Sequence, residues 1–168
     1  NPDLFPDGFQ AKTPNHVNDV SIIAGASGET KRRWRWDLSS SYGINSGTSY
    51  VKQSNNASQY FTLGKNAPTS FYTGSSTYGQ LSNNVQFSKP IYQADKMVLN
   101  LATGTEWRLE HYRIRSGEEA SWKNYDSSGR KLGGSGGLVF SPIDAISANR
   151  HVSAIYVDME SEFRKSFL

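Results

Sequence analysis

Apolar residues recur at every second position in five stretches of this chain, and helical spacing fits none of them as well. From Trp34 to Asn45, one face reads Trp34, Trp36, Leu38, Ser40, Tyr42 and Ile44. The other reads Arg35, Asp37, Ser39, Ser41, Gly43 and Asn45. Between Leu81 and Ile91, Leu81, Val85, Phe87 and Ile91 oppose Ser82, Asn84, Gln86 and Ser88. Between Met97 and Glu110, Met97, Leu99, Leu101, Trp107 and Leu109 oppose Asn100, Gly104, Glu106, Arg108 and Glu110. Val17 to Gly28 is weaker, with Val20, Ile22, Ala24 and Ala26 against Asp19, Ser21, Gly25 and Ser27. His151 to Phe163 sets Ile155, Val157, Met159 and Phe163 against Asp158, Glu160 and Glu162. A period of two gives a strand with unlike faces. The chain is therefore expected to be all-β, an antiparallel meander of about five long strands.

The joins alternate in length. Short ones fall around Glu29-Thr30-Lys31-Arg32 and from Pro90 to Lys96; long ones run from about Ser46 to Tyr78 and from Arg115 to Arg150. Two structureless loops of about 30 residues are rare in a compact soluble domain, whereas a membrane barrel pairs short turns on one side with long loops on the other. Each stretch also reaches the roughly 9–11 residues that a tilted strand needs to cross a bilayer. In that reading Trp34, Trp36, Tyr42, Trp107 and Tyr156 are girdle residues at the lipid boundaries. The polar faces would line a lumen through Glu106, Arg108, Glu110, Asp158 and Glu160. Ordinary core and surface aromatics of a soluble β-domain are the alternative.

Composition narrows the chemistry. The 168 residues include no cysteine, which removes disulfides, thiol catalysis and cysteine-ligated metals. No run of about 18 apolar residues offers a transmembrane helix, a test that does not bear on barrels. A net charge of +3 is too small to argue for nucleic acid.

Several motifs in the same order resemble TonB-dependent outer-membrane receptors of Gram-negative bacteria. They are Phe5-Pro6-Asp7-Gly8-Phe9, Trp36-Asp37-Leu38-Ser39-Ser40-Ser41-Tyr42-Gly43, Pro68-Thr69-Ser70-Phe71-Tyr72-Thr73-Gly74, Thr103-Gly104-Thr105-Glu106-Trp107-Arg108 and His151-Val152-Ser153-Ala154-Ile155-Tyr156-Val157-Asp158. The resemblance covers most of the chain, with motifs that are individually loose. It implies a plugged barrel of the 22-stranded class that imports a scarce nutrient (siderophore, cobalamin, carbohydrate or similar) with energy delivered through TonB. No plug, TonB box or closing C-terminal strand is recognisable. Residues 1–168 are accordingly read as a partial, unclosed barrel segment of a longer protein.

The remaining motifs carry less. Lys31-Arg32-Arg33-Trp34-Arg35-Trp36 interleaves base with aromatic, as single-strand nucleic-acid grooves do, yet it enters a strand from a tight turn and no second basic patch supports it. Charges at the headgroup level are the better reading. Gly133-Gly134-Ser135-Gly136-Gly137 lacks the lysine and the helix of a phosphate loop. Asn56-Ala57-Ser58 matches a glycosylation sequon. His16, His111 and His151 lack metal-site spacing, no nucleophile elbow occurs, and the carboxylate pairs share single strand faces instead of flanking a cleft.

Tyr60, Phe61, Phe71, Tyr72, Trp122 and Tyr125 stand in the long joins among Ser, Asn and Gly, and are read as exposed aromatics able to stack on sugars or planar ligands. Phe71, Tyr72, Trp122 and Tyr125 are the leading ligand candidates. The expectation is thus a non-enzymatic part of an outer-membrane nutrient receptor, without catalytic residues, metal or cofactor. Its expected partners are outer-membrane lipid, a small nutrient and, through the plug of the full-length protein, the TonB system, with no nucleic acid. A soluble secreted β-sandwich that binds carbohydrate through loop aromatics is the alternative, and a complete small membrane barrel a weaker third.

Overall fold

Strand pairing extends well past the alternating segments. In the computed structural model, which describes residues 3–126 and 133–163, the strands are β1 (Asn15–Glu29), β2 (Arg35–Lys52), β3 (Ser70–Ala94), β4 (Met97–Ser116) and β5 (Ile146–Phe163). They form one antiparallel meander in the order β1-β2-β3-β4-β5. The protein is mostly β, in one open sheet where a sandwich has two. Two short helices, α1 (Ala57–Leu63) and α2 (Glu119–Trp122), lie in the long connections. Among the described residues no helix is long and apolar enough to cross a membrane.

The expected joins are corrected at each end. β2 runs on through Ser46 to Lys52, and β3 begins at Ser70 instead of after Tyr78. β3 also passes through Pro90 and stops at Ala94, leaving only Asp95 and Lys96 for the turn into β4. The extensions over residues 46–52 and 70–78 are rich in Ser, Thr, Gly and Tyr and carry no clean alternation. Backbone pairing to a neighbouring strand holds them extended, a tertiary effect that overrides weak local pattern.

The described chain divides into two compact units. The first comprises Asn1–Asp19, Ile44–Tyr78 and His111–Ala148; the second comprises Val20–Gly43, Gly79–Glu110 and Asn149–Leu168. In the first, Val51, Ala67 and Phe71 are buried together with Ser54, Asn55, Asn56, Ser58, Thr73 and Ser121. The connections are hydrogen-bonded to one another, not structureless: Ser54 Oγ donates to Ser135 O, Gly134 N to Ser121 O, Gly117 N to Phe140 O and Phe140 N to Thr73 O. Gly74, at φ +127°, adopts a backbone that disfavours side chains, and a Cβ there would lie 2.7 Å from both Arg115 O and the Phe140 ring.

In the second unit the edge strands β1 and β5 are exposed on both faces, and burial is confined to the polar face of β3 and β4. Val98, Ser82 and Glu110 are buried, while Val20, Ile22, Leu38, Phe87, Trp107, Ile155, Val157, Met159 and Phe163 are exposed, Ile155 to 83%. Registers are consistent across the strands: Gly25 lies against Leu38 and Ser39, Gly28 against Trp36, and Gly104 against Tyr156. The last pair corrects one expectation. Tyr156 lies over Gly104, on the same face as Glu106 and Asp158, and is not on the apolar face with the girdle candidates.

Candidate functional site

Two groups of side chains carry the chemistry, one in each unit. On the polar face of the second unit, β4 presents Glu106, Arg108 and Glu110 two residues apart, so all three project to one side. Ser82 Oγ on β3 donates to Glu106 Oε1 at 2.9 Å. Arg108 Nη1 is 3.8 Å from the same oxygen, and Arg108 Nε is 3.1 Å from Glu110 Oε1, an ion pair without hydrogen-bond alignment. Arg150 Nε on β5 donates to Glu110 Oε2 at 2.5 Å. Two carboxylates and two guanidiniums therefore alternate across β4 and β5, with the Ser82 hydroxyl of β3 at one end. Glu110, 8% exposed, is held by arginines on either side of it. This row is charge-balanced, two carboxylates against two guanidiniums.

Asp158, Glu160 and Glu162 follow on the same face of β5. They line an open groove of about 490 Å³ with Arg35, Gln86, Ser88 and Asn100. The five expected lumen residues, Glu106, Arg108, Glu110, Asp158 and Glu160, thus share one face. Glu110–Arg150 and Gly104–Tyr156 set that register.

The second group belongs to the first unit and is organised by Asn56. Its Nδ2 donates to Ala120 O at 2.9 Å and to Lys123 O at 2.8 Å, and its Oδ1 accepts from Ser58 N and, at 2.6 Å, from Ser58 Oγ. Tyr125 N in turn donates to Ser58 Oγ at 3.1 Å. Asn56 is fully buried, so the amide of the sequon is occupied as a structural tie and as the N-cap of α1. The N-cap position was legible from Asn56 standing just before Ala57-Ser58-Gln59; the cross-loop bonds were not.

The four leading aromatic candidates have unlike environments. Phe71 is 2% exposed and is a core residue of β3, which corrects its reading as an exposed loop aromatic. Tyr72 is half-buried, its ring 5.7 Å from Tyr50, which meets His16 edge-on at the same distance. Trp122 is half-buried and its Nε1 donates to Gly117 O at 3.2 Å. Tyr125 alone of the four is exposed. Phe61, 79% exposed, borders the same groove of about 350 Å³, with Ser58, Thr62 and Asp126. The open aromatic pair is therefore Phe61 and Tyr125.

Around Tyr125, Lys123 Nζ donates to Glu119 Oε1 at 2.5 Å and lies 5.2 Å from the ring centre, while the phenol donates to Glu119 at 3.4 Å. The bond from Lys123 lowers the Glu119 carboxyl below its ordinary pKa, and the same bond raises Lys123. Burial, with Glu119 nearby, raises the Tyr125 phenol.

Among the described residues no three His, Cys, Asp or Glu side chains are grouped to hold a metal ion. The His151 ring lies 6.4 Å from Trp107, tilted by 35°. No family model and no curated protein matches the chain.

Proposed function

We propose that the chain is wall and loops of an outer-membrane, TonB-dependent nutrient receptor: a transporter segment without catalytic residues. The observation that carries this reading is the inverted burial of the second unit. Val20, Ile22, Leu38, Phe87, Ile155, Val157 and Met159 stand exposed on one face, while Ser82 and Glu110 are buried on the other, where carboxylates and arginines gather. A water-soluble domain places these groups the other way round; a barrel wall with lipid outside and a polar lumen inside has this arrangement. Strands of 15 to 25 residues are more than long enough to span. The sequence resemblance adds the receptor class. In that role the connections after β2 and after β4 are capture loops, with Phe61 and Tyr125 as the ligand-facing rings, and the Glu106–Arg150 row lines the passage.

The test is fractionation of the native source followed by the intact mass of the polypeptide that contains this sequence. Recovery from outer membrane only with detergent, at a mass several times the 18.7 kDa of this chain, is the expected result. A soluble monomer of that mass, stable without detergent, overturns the proposal.

A further inference from the structure

We infer that the tight turn between β1 and β2 binds the headgroup of an anionic phospholipid. The inference rests on the membrane-wall reading and names the lipid chemistry that this end of the wall selects. Lys31, Arg32 and Arg33 are consecutive and exposed, and among the described residues none has an ion-pair partner. Arg35 lines a groove with Glu29 and Asp37 without an ion pair to either. Residues 29–37 together hold four cations against two carboxylates, so the turn keeps an excess of positive charge.

The backbone holds them there. Thr30 O accepts from Arg33 N at 2.9 Å, Thr30 N donates to Trp34 O at 2.8 Å, and Thr30 Oγ1 accepts from Trp34 N at 3.1 Å. Arg33 takes a left-handed backbone, φ 62°, to complete the turn. Three mutually repelling cations on a closed turn are stabilised by an anion, and a phosphate diester supplies the charge that the protein lacks.

The flanking indoles specify where that phosphate sits. Trp36 covers Gly28, where a Cβ would come within 2.7 Å of its ring, and Trp34 lies 5.7 Å beneath Lys89 Nζ. Both indoles are half-buried and follow directly on the cationic tip. Indole below and cation above is the layering of the acyl–headgroup boundary. A single-stranded nucleic acid needs several open rings along a groove, and here Trp34 already carries Lys89 over its ring.

The full-length polypeptide that contains this sequence is reconstituted into phosphatidylcholine vesicles in which the only brominated lipid, a quencher of tryptophan, is either phosphatidylcholine or phosphatidylglycerol, and the signal is the difference from its Trp34→Phe/Trp36→Phe variant. Stronger quenching by brominated phosphatidylglycerol is expected, falling towards the phosphatidylcholine level at high salt. The variant Lys31→Gln/Arg32→Gln/Arg33→Asn, with asparagine suited to the left-handed position, should lose the preference by roughly fivefold per charge removed. Added inorganic phosphate should not reproduce the wild-type effect.

Equal quenching by both lipids overturns the headgroup site and leaves the membrane reading intact. No quenching by either overturns the membrane reading itself. Reversal of the preference by inorganic phosphate or by a single-stranded oligonucleotide assigns the turn to a free phosphate or to nucleic acid and overturns the lipid proposal.

Discussion

Asn56 ties two connections of the first unit together by donating its side-chain amide to Lys123 O at 2.8 Å, 67 residues along the chain. A second proton of the same amide reaches Ala120 O. Asn56→Ala leaves two carbonyls and the Ser58 N–H without their partner, and should cost about 2–5 kcal/mol in denaturant unfolding. Asn56→Asp keeps the acceptor for Ser58 but sets a carboxylate against two carbonyl oxygens. It should be at least as damaging; a near-neutral Asp variant would show that the cross-loop bonds contribute little.

Glu110 and Arg150 form the second cross-strand tie. Glu110→Gln leaves Arg108 and Arg150 without their shared counter-charge and should cost about 1–3 kcal/mol. Arg150, 70% exposed, is partly solvated already, so Arg150→Gln should cost less than about 1 kcal/mol. A double-mutant cycle measures their coupling, and strict additivity would deny the pair.

Gly104 faces the Tyr156 ring, and a Cβ there would stand 2.5 Å from the phenol oxygen. Gly104→Ala should destabilise by about 1–3 kcal/mol through overpacking. In a Tyr156→Ala background the same change should be nearly free. Equal costs in the two backgrounds would place the ring elsewhere.

Phe61 and Phe71 separate loop recognition from core packing. Phe71→Ala should lose about 3–5 kcal/mol by opening a buried cavity, whereas Phe61→Ser should alter stability by less than about 0.5 kcal/mol. The proposed ligand-facing role of Phe61 is read separately, as weaker nutrient binding by the full-length protein carrying Phe61→Ser. Unchanged binding would remove the ring from the capture surface.

The Glu119–Lys123 pair makes the α2 connection pH-sensitive at both ends of the scale. Glu119 is lowered, so its contribution is present above the ordinary carboxylate pKa and is lost as pH falls through its folded value. Lys123 is raised, so its contribution is present below the ordinary lysine pKa and is lost as pH rises through its folded value. Protection of the Lys123 and Tyr125 amides, as exchange relative to the intrinsic rate at each pH, should therefore fall in strong acid and again in strong base. Lys123→Gln should abolish the acid-side change, and an unaltered acid profile would remove the pair as its cause.

The alternation of Trp34 to Ile44, Met97 to Leu109 and Ile155 to Phe163 determined the strands, their order of appearance and which face of each is apolar. That much is local, because successive side chains on a pleated strand must point to opposite sides. That Glu106, Arg108, Glu110, Asp158 and Glu160 share one face followed from the same parity. The same parity places Tyr156 beside Gly104 on the face of Glu106 and Asp158, although its aromatic ring also suits a girdle.

What only the tertiary structure decided lies where side chains have no period. Ser46 to Lys52 and Ser70 to Tyr78 became strand because neighbouring backbone was there to pair with them. Phe71 became core, and Asn56 a tie, because connections far apart in sequence fold onto each other. Phe61 and Tyr125 border one groove for the same reason. Periodicity records the environment a residue shares with its neighbours in the chain; contacts across 60 or more residues leave no mark in it.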